Sequence, residues 1–442
     1  MLWLAPISTL VLFLAAGQAP DTPALVRQSM MALTLIIIAA KLGGEIFGRL
    51  GQPPVLGELV IGMVLGNLGL LGFSALDALK TNTAISVVAE IGVILLLFEV
   101  GLESDLDKLL AVGWSSLLVA SLGVVAPMIL GYFVSMFFLG DAGPLTHLFV
   151  GATLTATSVG ITARVLKDLN ASDSKEARII LGAAVADDVI GLVVLAVVSG
   201  LVMAAGAPSG PGSSGDFSWT AALWIIVKAC LFLTAAVLAG RYLANPMFRC
   251  AARLRIAGVL VAVCICFCFV LATLAGLIGL APIVGAFAAG VVLDPVHYRS
   301  FLERGERRVE ELLFPITTLI VPVFFLLMGL RVELRSFASA SVLGFAALVT
   351  AAAIAGKQIC GLGVLERGVD RITVGVGMIP RGEVGLIFAG MGSTLLLNGR
   401  PLFSPTTFSS LVFMVMLTTF ITPPLLKWAL ARKRLAQVSS PR

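Results

Sequence analysis

Two adjacent aspartates, Asp187 and Asp188, lie in the middle of an apolar run from Ile179 to Val198. A carboxylate at the centre of a membrane helix costs about 2.5–3.5 kcal/mol on insertion scales, so other groups of the fold must compensate for the pair. Successive helical positions point about 100° apart, so one Asp can face a water-filled cavity while the other faces a neighbouring helix. Because intramembrane acids mark ion and proton pathways, we interpret the pair as functional rather than as the N-terminal acids of a soluble core helix.

Lys357 is the obvious candidate partner for Asp187. It lies in an otherwise apolar predicted span, within the stretch Ala353–Gln358, and a buried ammonium group requires an opposite charge. The alternative is that Lys357 snorkels to a membrane interface, as long basic side chains do. Its position in the middle of the span favours the ion pair.

The polar segment Thr155–Thr162, which contains Thr157 and Ser158, interrupts another predicted span. Polar and glycine residues in mid-span favour a helix break, and broken helices expose backbone carbonyls and helix ends that can coordinate ions. Hydrogen bonding of the hydroxyl groups to their own helix is the purely structural alternative. A matching interruption later in the chain favours the functional interpretation.

That second interruption contains Pro380, Arg381, Gly382 and Glu383. Proline lacks an N–H donor and clashes with the preceding turn, so the helix should break here. Arg381 would end the first half-helix and Glu383 would begin the second. Because cations suit helix C-termini and anions suit N-termini, we predict that this pair compensates the two helix dipoles rather than binding the ion.

Glu58 and Glu99 are the remaining acids deep in predicted spans. Glu99 could line the cavity or pair with Arg381, and the sequence leaves both options open. Lys41 and Glu45 are four residues apart on one helix, a spacing that predicts a local ion pair.

The composition is that of an all-α polytopic membrane protein. Hydrophobic residues make up 59% of the 442 residues, charged residues only 12%, and the mean hydropathy is +1.05, whereas soluble domains contain about 25% charged residues. The net charge of +5 needs no nucleic-acid partner, because cytoplasmic loops rich in Lys and Arg produce it.

The hydropathy pattern predicts thirteen transmembrane spans. They cover residues 30–47, 54–71, 85–102, 114–138, 145–167, 177–202, 218–242, 256–276, 279–293, 309–330, 337–363, 371–397 and 405–431. The apolar segment Leu2–Gly17 precedes them and is interpreted as a signal peptide or an extra membrane helix. The Pro-, Gly- and Ser-rich stretch Ala207–Asp216 is predicted to be a flexible outside loop.

The Lys and Arg residues predict the orientation of the chain. Twenty-one lie on one side and five on the other, while four fall inside spans, which accounts for all 30. Cytoplasmic loops carry the excess of basic residues, so the N-terminus is predicted to lie outside and the C-terminus in the cytoplasm. The predicted location is the cell membrane.

An internal repeat relates the two halves of the chain at an offset of 225–228 residues. The matching positions are Pro54 with Pro282, Gly57 with Gly285, Gly62 with Gly290, Gly101 with Gly329, and Gly160 with Gly385. The second and ninth spans are seven crossings apart, so the halves should run in opposite directions, as in the inverted repeats of secondary transporters. The predicted organisation is residues 1–29 as the N-terminal segment, 30–217 as the first repeat with its outside loop, 218–255 as a linker span, 256–431 as the second repeat and 432–442 as a basic cytoplasmic tail.

Together, the Thr157–Ser158 segment, the Asp187–Asp188 segment, Gly356–Lys357 and the Pro380–Glu383 segment resemble the NapA-type sodium/proton antiporters of the second monovalent cation:proton antiporter family. The similarity extends from about Met30 to Ala431, whereas the first 29 residues have no counterpart and Glu99 occupies a position that is usually apolar.

The resemblance implies a core domain with two crossing broken helices, a separate dimerisation domain, and a homodimer with elevator-type motion. It also implies that Asp188 binds the cation or the proton, that Asp187 pairs with Lys357, and that Thr157 and Ser158 lie beside the site.

The predicted activity is therefore electrogenic exchange of Na⁺ or Li⁺ for H⁺, with Asp188, Ser158 and Thr157 as oxygen ligands of Na⁺. No cofactor is expected beyond the transported ions, and the partners are the monovalent cation, the proton and membrane lipid. The alternative within the same fold is a K⁺/H⁺ antiporter or K⁺ efflux system. An intramembrane aspartyl protease is a distant alternative, because its two acids should lie on different helices.

Overall fold

The computed structural model describes residues 22–438 except 73–75, 104–112, 170, 173, 207–218, 255, 257, 294 and 398. The long helices are α1 (Thr22–Arg49), α2 (Pro54–Gly66), α3 (Thr83–Glu103), α4 (Trp114–Phe138), α5a (Pro144–Thr153), α5b (Val159–Asp168), α6 (Lys175–Gly206), α7 (Trp219–Ala251), α8 (Val259–Leu277), α9 (Pro282–Val292), α10 (Val309–Leu330), α11 (Ala340–Cys360), α12a (Arg371–Gly377), α12b (Glu383–Thr394) and α13 (Pro405–Val438).

Short elements complete the described chain. They are the helices Asp77–Lys80 and Arg299–Leu302, the 3₁₀ turns Leu68–Leu71, Pro295–Tyr298, Leu334–Ala338 and Gly361–Gly363, and an antiparallel hairpin of strands Leu396–Leu397 and Arg400–Pro401. The segments Leu2–Gly17 and Ala207–Asp216, for which the sequence predicts a signal-like segment and an outside loop, lie outside the described residues.

Each of the thirteen predicted spans corresponds to a helix or to a pair of half-helices. In the part of the chain that the structure describes, eight helices are long and apolar enough to cross a membrane: α1, α3, α4, α6, α8, α10, α11 and α13. α2 and α9 are apolar but short, and α5 and α12 are each divided in two. The structure therefore agrees with an all-α polytopic membrane protein.

The helices form two bundles. α1–α3 and α8–α10 contact one another in the first bundle, and α4, α5a, α5b and α6 pack with α11, α12a, α12b and α13 in the second. α7 contacts α6 of the second bundle and α9 of the first, and so connects them. Direct contacts between the bundles include α10 with α12b and α6 with α9.

In the first bundle, the two halves of the chain exchange equivalent helices. α2 packs on α10 and α9 packs on α3. The approach is close enough to require glycine on both sides: a Cβ added to Gly329 would lie 2.9 Å from Gly62 Cα, and one added to Gly101 would lie 3.0 Å from Gly290 Cα. These four glycines are two of the pairs that the sequence repeat relates, so the repeat corresponds to a reciprocal packing arrangement.

Lys41 of α1 satisfies a carbonyl group that a proline leaves unpaired. Pro322 lies inside α10 and has no N–H to offer the carbonyl of Thr318, four residues earlier. The Lys41 Nζ donates a hydrogen bond to that carbonyl oxygen at 2.7 Å. The predicted Lys41–Glu45 pair is wrong, because Glu45 instead accepts from Arg49, 2.8 Å away.

Candidate functional site

A buried ion pair joins α6 to α11. The Lys357 Nζ lies 3.0 Å from the Asp187 Oδ1, and neither side chain has exposed surface. Lys357 lies on α11, which packs tightly against α4. At the preceding residue, Gly356, an added Cβ would lie 2.7 Å from Pro127 Cα of α4. The contact expected from the sequence is present, and snorkelling of Lys357 to an interface is excluded by its burial.

Asp188, the next residue of α6, is in a different environment from Asp187. It is partly exposed, whereas Asp187 retains only 1% of its accessible surface. No described residue donates a hydrogen bond to Asp188. Its electrostatic neighbours are the charged side chains of Asp187, Glu383, Lys357 and Glu103. Asp188 is thus a partly exposed residue whose carboxylate oxygens accept no hydrogen bond from a described residue, and free oxygen lone pairs are the condition for binding a proton or a small cation.

The two broken helices cross next to this pair of acids. The Ser158 backbone N–H donates to the Pro380 carbonyl at 2.8 Å, and the Thr162 hydroxyl donates to the Gly377 carbonyl at 2.6 Å. The Arg381 guanidinium donates to the Ala156 carbonyl at 2.8 Å. Each break thereby supplies hydrogen-bond partners for the backbone that the other break leaves unpaired, as a buried membrane segment requires.

Arg381 is fully buried and binds backbone oxygens. Besides Ala156, it donates to the Ala353 carbonyl of α11 at 3.2 Å, and the Thr419 hydroxyl of α13 donates to the Arg381 carbonyl. The Arg381 Nε has no hydrogen-bond partner among the described residues. Of the two options left open for Glu99, pairing with Arg381 is not seen, because Arg381 donates to the carbonyl groups of Ala156 and Ala353 instead.

Glu383 begins α12b and accepts a hydrogen bond from the Ser158 hydroxyl at 3.2 Å. The Thr157 hydroxyl donates to the Met378 carbonyl at 3.5 Å. Both hydroxyl groups are buried, yet a hydroxyl that donates one hydrogen bond keeps oxygen lone pairs for a cation. A hydrogen bond therefore joins Ser158 to Glu383, and the carboxylate of Glu383 is an electrostatic neighbour of Asp188.

The other two predicted acids lie in the first bundle. Glu58 of α2 is 6% exposed and has Lys41 as its charged neighbour, away from the crossing. Glu99 of α3 lies beside Thr317 of α10, with Glu103 and Glu310 as its acidic neighbours.

The sequence analysis missed Glu90, Glu103 and Glu310. Glu90 lies within the predicted span 85–102, so the signal, a charged residue in an apolar run, was available. Glu103 ends α3 and Glu310 lies in the first turn of α10. Acids are common at helix ends, so neither residue was conspicuous in the sequence, and only the tertiary structure makes them neighbours.

A partly exposed aspartate, a buried ion pair and two crossed half-helix pairs in a multispan helical fold define a secondary transporter rather than an enzyme. The family model described as "Sodium/hydrogen exchanger, transmembrane" matches residues 32–431. The chain belongs to this family of monovalent cation:proton antiporters. Both acids lie on one helix, α6, and the protease alternative is not retained.

Among its relatives, the chain is 36% identical to the "High-affinity Na(+)/H(+) antiporter NhaS3" of Synechocystis, over 96% of this chain and 94% of that protein. It is 33% identical to the "Na(+)/H(+)-K(+) antiporter GerN" of Bacillus cereus, over 92% of this chain and 98% of that protein. Its fold is similar to that of the sodium proton antiporter MjNhaP1 from Methanocaldococcus jannaschii, with a TM-score of 0.66, 16% identity, and coverage of 92% of this chain and 98% of the other.

Proposed function

We propose that this protein exchanges Na⁺ or Li⁺ for H⁺ across the cell membrane and that Asp188 is the carboxylate that binds them in turn. The observation that carries the proposal is the contrast between two adjacent acids: Asp187 is neutralised by Lys357, whereas Asp188 is partly exposed and accepts no hydrogen bond from a described residue. A proton and a hard cation compete for the same oxygens, so occupancy by one excludes the other.

Ser158 and Thr157 complete the proposed Na⁺ site together with water. Ser158 belongs to the crossover and contacts Glu383, while Arg381 and Glu383 stabilise the two breaks of the crossing rather than binding the ion. No cofactor takes part in this scheme, since the transported ions are its only small partners.

Lys357 provides the second proton of an electrogenic cycle. In the proton-loaded state, Asp188 is protonated and Lys357 is an ammonium paired with Asp187. When Na⁺ binds to Asp188 and also attracts Asp187, Lys357 loses its partner and releases its proton. Two protons then exchange for one Na⁺, so one net charge crosses the membrane in each cycle.

The two bundles are the bodies that move. The second bundle, with the crossing and Asp188, acts as the core domain, and the first bundle acts as the dimerisation domain of a homodimer, with elevator-type motion between them. In sequence, residues 30–217 and 256–431 are the two inverted repeats, residues 218–255 contain the linker span, and residues 432–442 form the cytoplasmic tail. The excess of basic residues supports an outside N-terminus and a cytoplasmic C-terminus.

The test uses proteoliposomes with an imposed Na⁺ gradient, an internal pH dye and a membrane voltage clamped by K⁺ and valinomycin. Proton movement that requires Na⁺ and changes with voltage is the expected result. Na⁺-dependent movement that is indifferent to voltage would contradict the two-proton cycle. A K⁺/H⁺ antiporter is the second candidate, favoured by the likeness to a relative whose name includes K⁺; a signal with K⁺ alone, under a clamp that does not use K⁺, would establish it instead.

A further inference from the structure

A cavity of about 80 Å³ lies between the two bundles. Residues of α3, α9 and α10 line it from the first bundle, and residues of α12b line it from the second. Its polar lining residues are Ser86, Glu90, Arg331 and Thr394, and its other lining residues are apolar. We call this cavity the Arg331 pocket.

The Arg331 pocket lies near one end of the helices that form it. Ser86 is in the first turn of α3, and Ile283 is in the first turn of α9. Arg331 follows the last residue of α10, and Thr394 is the last residue of α12b. Glu90 and Thr394 are exposed. Because membrane-spanning helices end near the boundary between membrane and water, the polar residues form a mouth that a water-soluble ligand can reach.

The inner side of the Arg331 pocket is apolar. Val93, Phe324 and Met328 of the first bundle are buried, and so is Ile387 of the second. A water molecule needs about two to four polar partners to be held in a cavity, and these side chains offer almost none. The inner side therefore suits the apolar part of a ligand, and the mouth suits its polar part.

The two charged residues at the mouth are close but not paired. Glu90 is an electrostatic neighbour of Arg331, yet no described residue forms a hydrogen bond or a direct ion pair with the Glu90 carboxylate. Arg331 donates one long hydrogen bond, from its Nη2 to the Ser86 hydroxyl at 3.4 Å. A guanidinium carries several N–H donors, so most of those of Arg331 are available. Two opposite charges that line one pocket without direct contact are complementary to a ligand that carries both signs.

We propose that the Arg331 pocket binds a zwitterionic α-amino acid with an apolar side chain, of the size of leucine, and that this ligand slows exchange. The carboxylate of the ligand accepts hydrogen bonds from Arg331, and its ammonium group donates to Glu90. The side chain packs on the inner side, between Phe324 and Ile387.

The volume of the pocket sets the size of the ligand. A cavity of about 80 Å³ holds about five to eight non-hydrogen atoms, if each occupies roughly the 10–15 Å³ of a water-sized probe. This is enough for the side chain and the α-carbon of leucine, with the ammonium and carboxylate groups at the mouth. A nucleoside is too large.

The effect on exchange follows from the position of the pocket between the bundles. A ligand that contacts Phe324 of α10 and Ile387 of α12b stabilises the arrangement in which these two walls are this far apart, because it binds other arrangements more weakly. In the proposed cycle, the bundles move relative to each other, so the ligand retards that movement. The slowing rests on the proposed exchange function, whereas the binding does not.

The binding experiment uses the full-length protein in lipid nanodiscs, with radiolabelled L-leucine in equilibrium dialysis. Binding should be saturable, at one leucine per chain. Isocaproate lacks the ammonium group of leucine and isoamylamine lacks the carboxylate, so each should compete about ten- to hundredfold more weakly than leucine, as the loss of one charged hydrogen bond implies. Glycine, which lacks the side chain, should not compete at the same concentrations. This comparison needs no variant.

Two charge variants assign the ends of the ligand. Arg331→Gln should weaken the binding of leucine and isocaproate about ten- to hundredfold without weakening that of isoamylamine. Glu90→Gln should weaken leucine and isoamylamine but not isocaproate. Glu333→Gln and Arg335→Gln are the matched controls, because they remove exposed charges that follow α10 outside the pocket, and both should bind leucine like wild type. Elution profiles and Tm values show that each variant is folded.

The exchange experiment adds leucine to both sides of proteoliposomes that contain the wild-type protein. Na⁺-driven proton movement should slow, with a half-effect at the Kd for leucine, and Arg331→Gln should require about ten- to hundredfold more leucine for the same effect.

Lack of saturable leucine binding to the wild-type protein, or equal competition by leucine, isocaproate and isoamylamine, would overturn the inference. Leucine binding at the wild-type Kd in both charge variants would also overturn it. Binding that leaves the exchange rate unchanged would overturn the inhibitory role. Absence of Na⁺- or K⁺-driven proton movement without leucine would instead overturn the proposed function and leave the binding result intact.

Discussion

The Lys357 Nζ contacts the Asp187 Oδ1 at 3.0 Å in a position where both side chains are fully buried, and the Asp187 Oδ2 has no hydrogen-bond partner among the described residues. A buried pair of this kind compensates two desolvation penalties with one contact, so it is sensitive to the loss of either partner. The same sensitivity makes it suited to a mechanism in which one partner is drawn away.

Lys357→Met should destabilise the protein, because it leaves Asp187 as an uncompensated buried charge. Breaking a buried pair typically costs about 3–5 kcal/mol. Thermal unfolding in detergent should give a clearly lowered Tm for Lys357→Met, and the double variant Asp187→Asn/Lys357→Met should recover most of it. A single variant as stable as wild type would contradict the role of the pair.

Removal of both charges should also change the stoichiometry of transport. The variant Asp187→Asn/Lys357→Gln keeps Asp188 but lacks the ammonium that supplies the second proton. Its Na⁺/H⁺ exchange should become indifferent to the clamped voltage in proteoliposomes. Voltage dependence equal to that of the wild-type protein would show that the second proton has another source.

Lys41→Met should lower the stability of the contact between α1 and α10. The substitution removes the donor at 2.7 Å from the Thr318 carbonyl, which Pro322 leaves without its helical partner. The hydrogen bond lies at the outer surface of the helices, where no water replaces the lost donor if the surface faces lipid, so the unpaired carbonyl should cost free energy. Pro322→Ala restores an N–H to the helix, so the double variant Lys41→Met/Pro322→Ala should lose less stability in thermal unfolding than Lys41→Met alone, and an equal loss in both would contradict this account.

Asp370 should stabilise the protein at neutral pH through two contacts on the side of the basic tail. It caps α12a by accepting from Thr373, and it accepts from Arg432 of α13 at 2.8 and 2.9 Å. Burial alone would raise the pKa of Asp370, but the hydrogen bonds from Thr373 and Arg432 outweigh burial and hold the pKa below its usual value. A depressed pKa means that this stabilisation is present at pH 7 and is lost as the pH falls below about 4.

Asp370→Ala should therefore lower the Tm by a few degrees at pH 7, since loss of a cap costs about 0.5–2 kcal/mol. The difference from wild type should decrease when unfolding is measured below pH 4. Asp370→Asn retains a capping side chain, so its Tm at pH 7 should lie between those of the wild-type protein and Asp370→Ala. A Tm difference that is the same at both pH values would exclude the ionised carboxylate as the cause.

The buried charges could be predicted from the sequence where they stand alone in apolar spans. Asp187 and Lys357 are 170 residues apart, yet each needs an opposite charge, and few candidates exist in the membrane. The two helix breaks were predicted from clusters of polar and helix-disfavouring residues in mid-span, Thr155–Thr162 in the first and Pro380–Glu383 in the second. A single proline is a weaker signal, because α10 continues through Pro322.

The partners of Lys41 and Arg381 could not be predicted, because both bind backbone carbonyls that become neighbours only in the folded chain. A carbonyl group leaves no mark in the sequence, apart from the indirect signal of Pro322 in α10. The predicted spans mark the apolar part of a helix and not its ends: the span 405–431 agrees with the apolar part of α13, and the helix itself continues to Val438.

The most direct test of the central claim is Na⁺-driven proton movement in proteoliposomes that contain Asp188→Asn, compared with wild type and with Asp141→Asn, which alters an exposed loop acid. The amide keeps the size of the side chain but can neither exchange a proton nor balance the charge of a cation. We predict no exchange above protein-free liposomes for Asp188→Asn, with a wild-type elution profile and Tm, and full exchange for Asp141→Asn. Exchange at the wild-type rate in Asp188→Asn would contradict the assignment of Asp188 as the transport carboxylate.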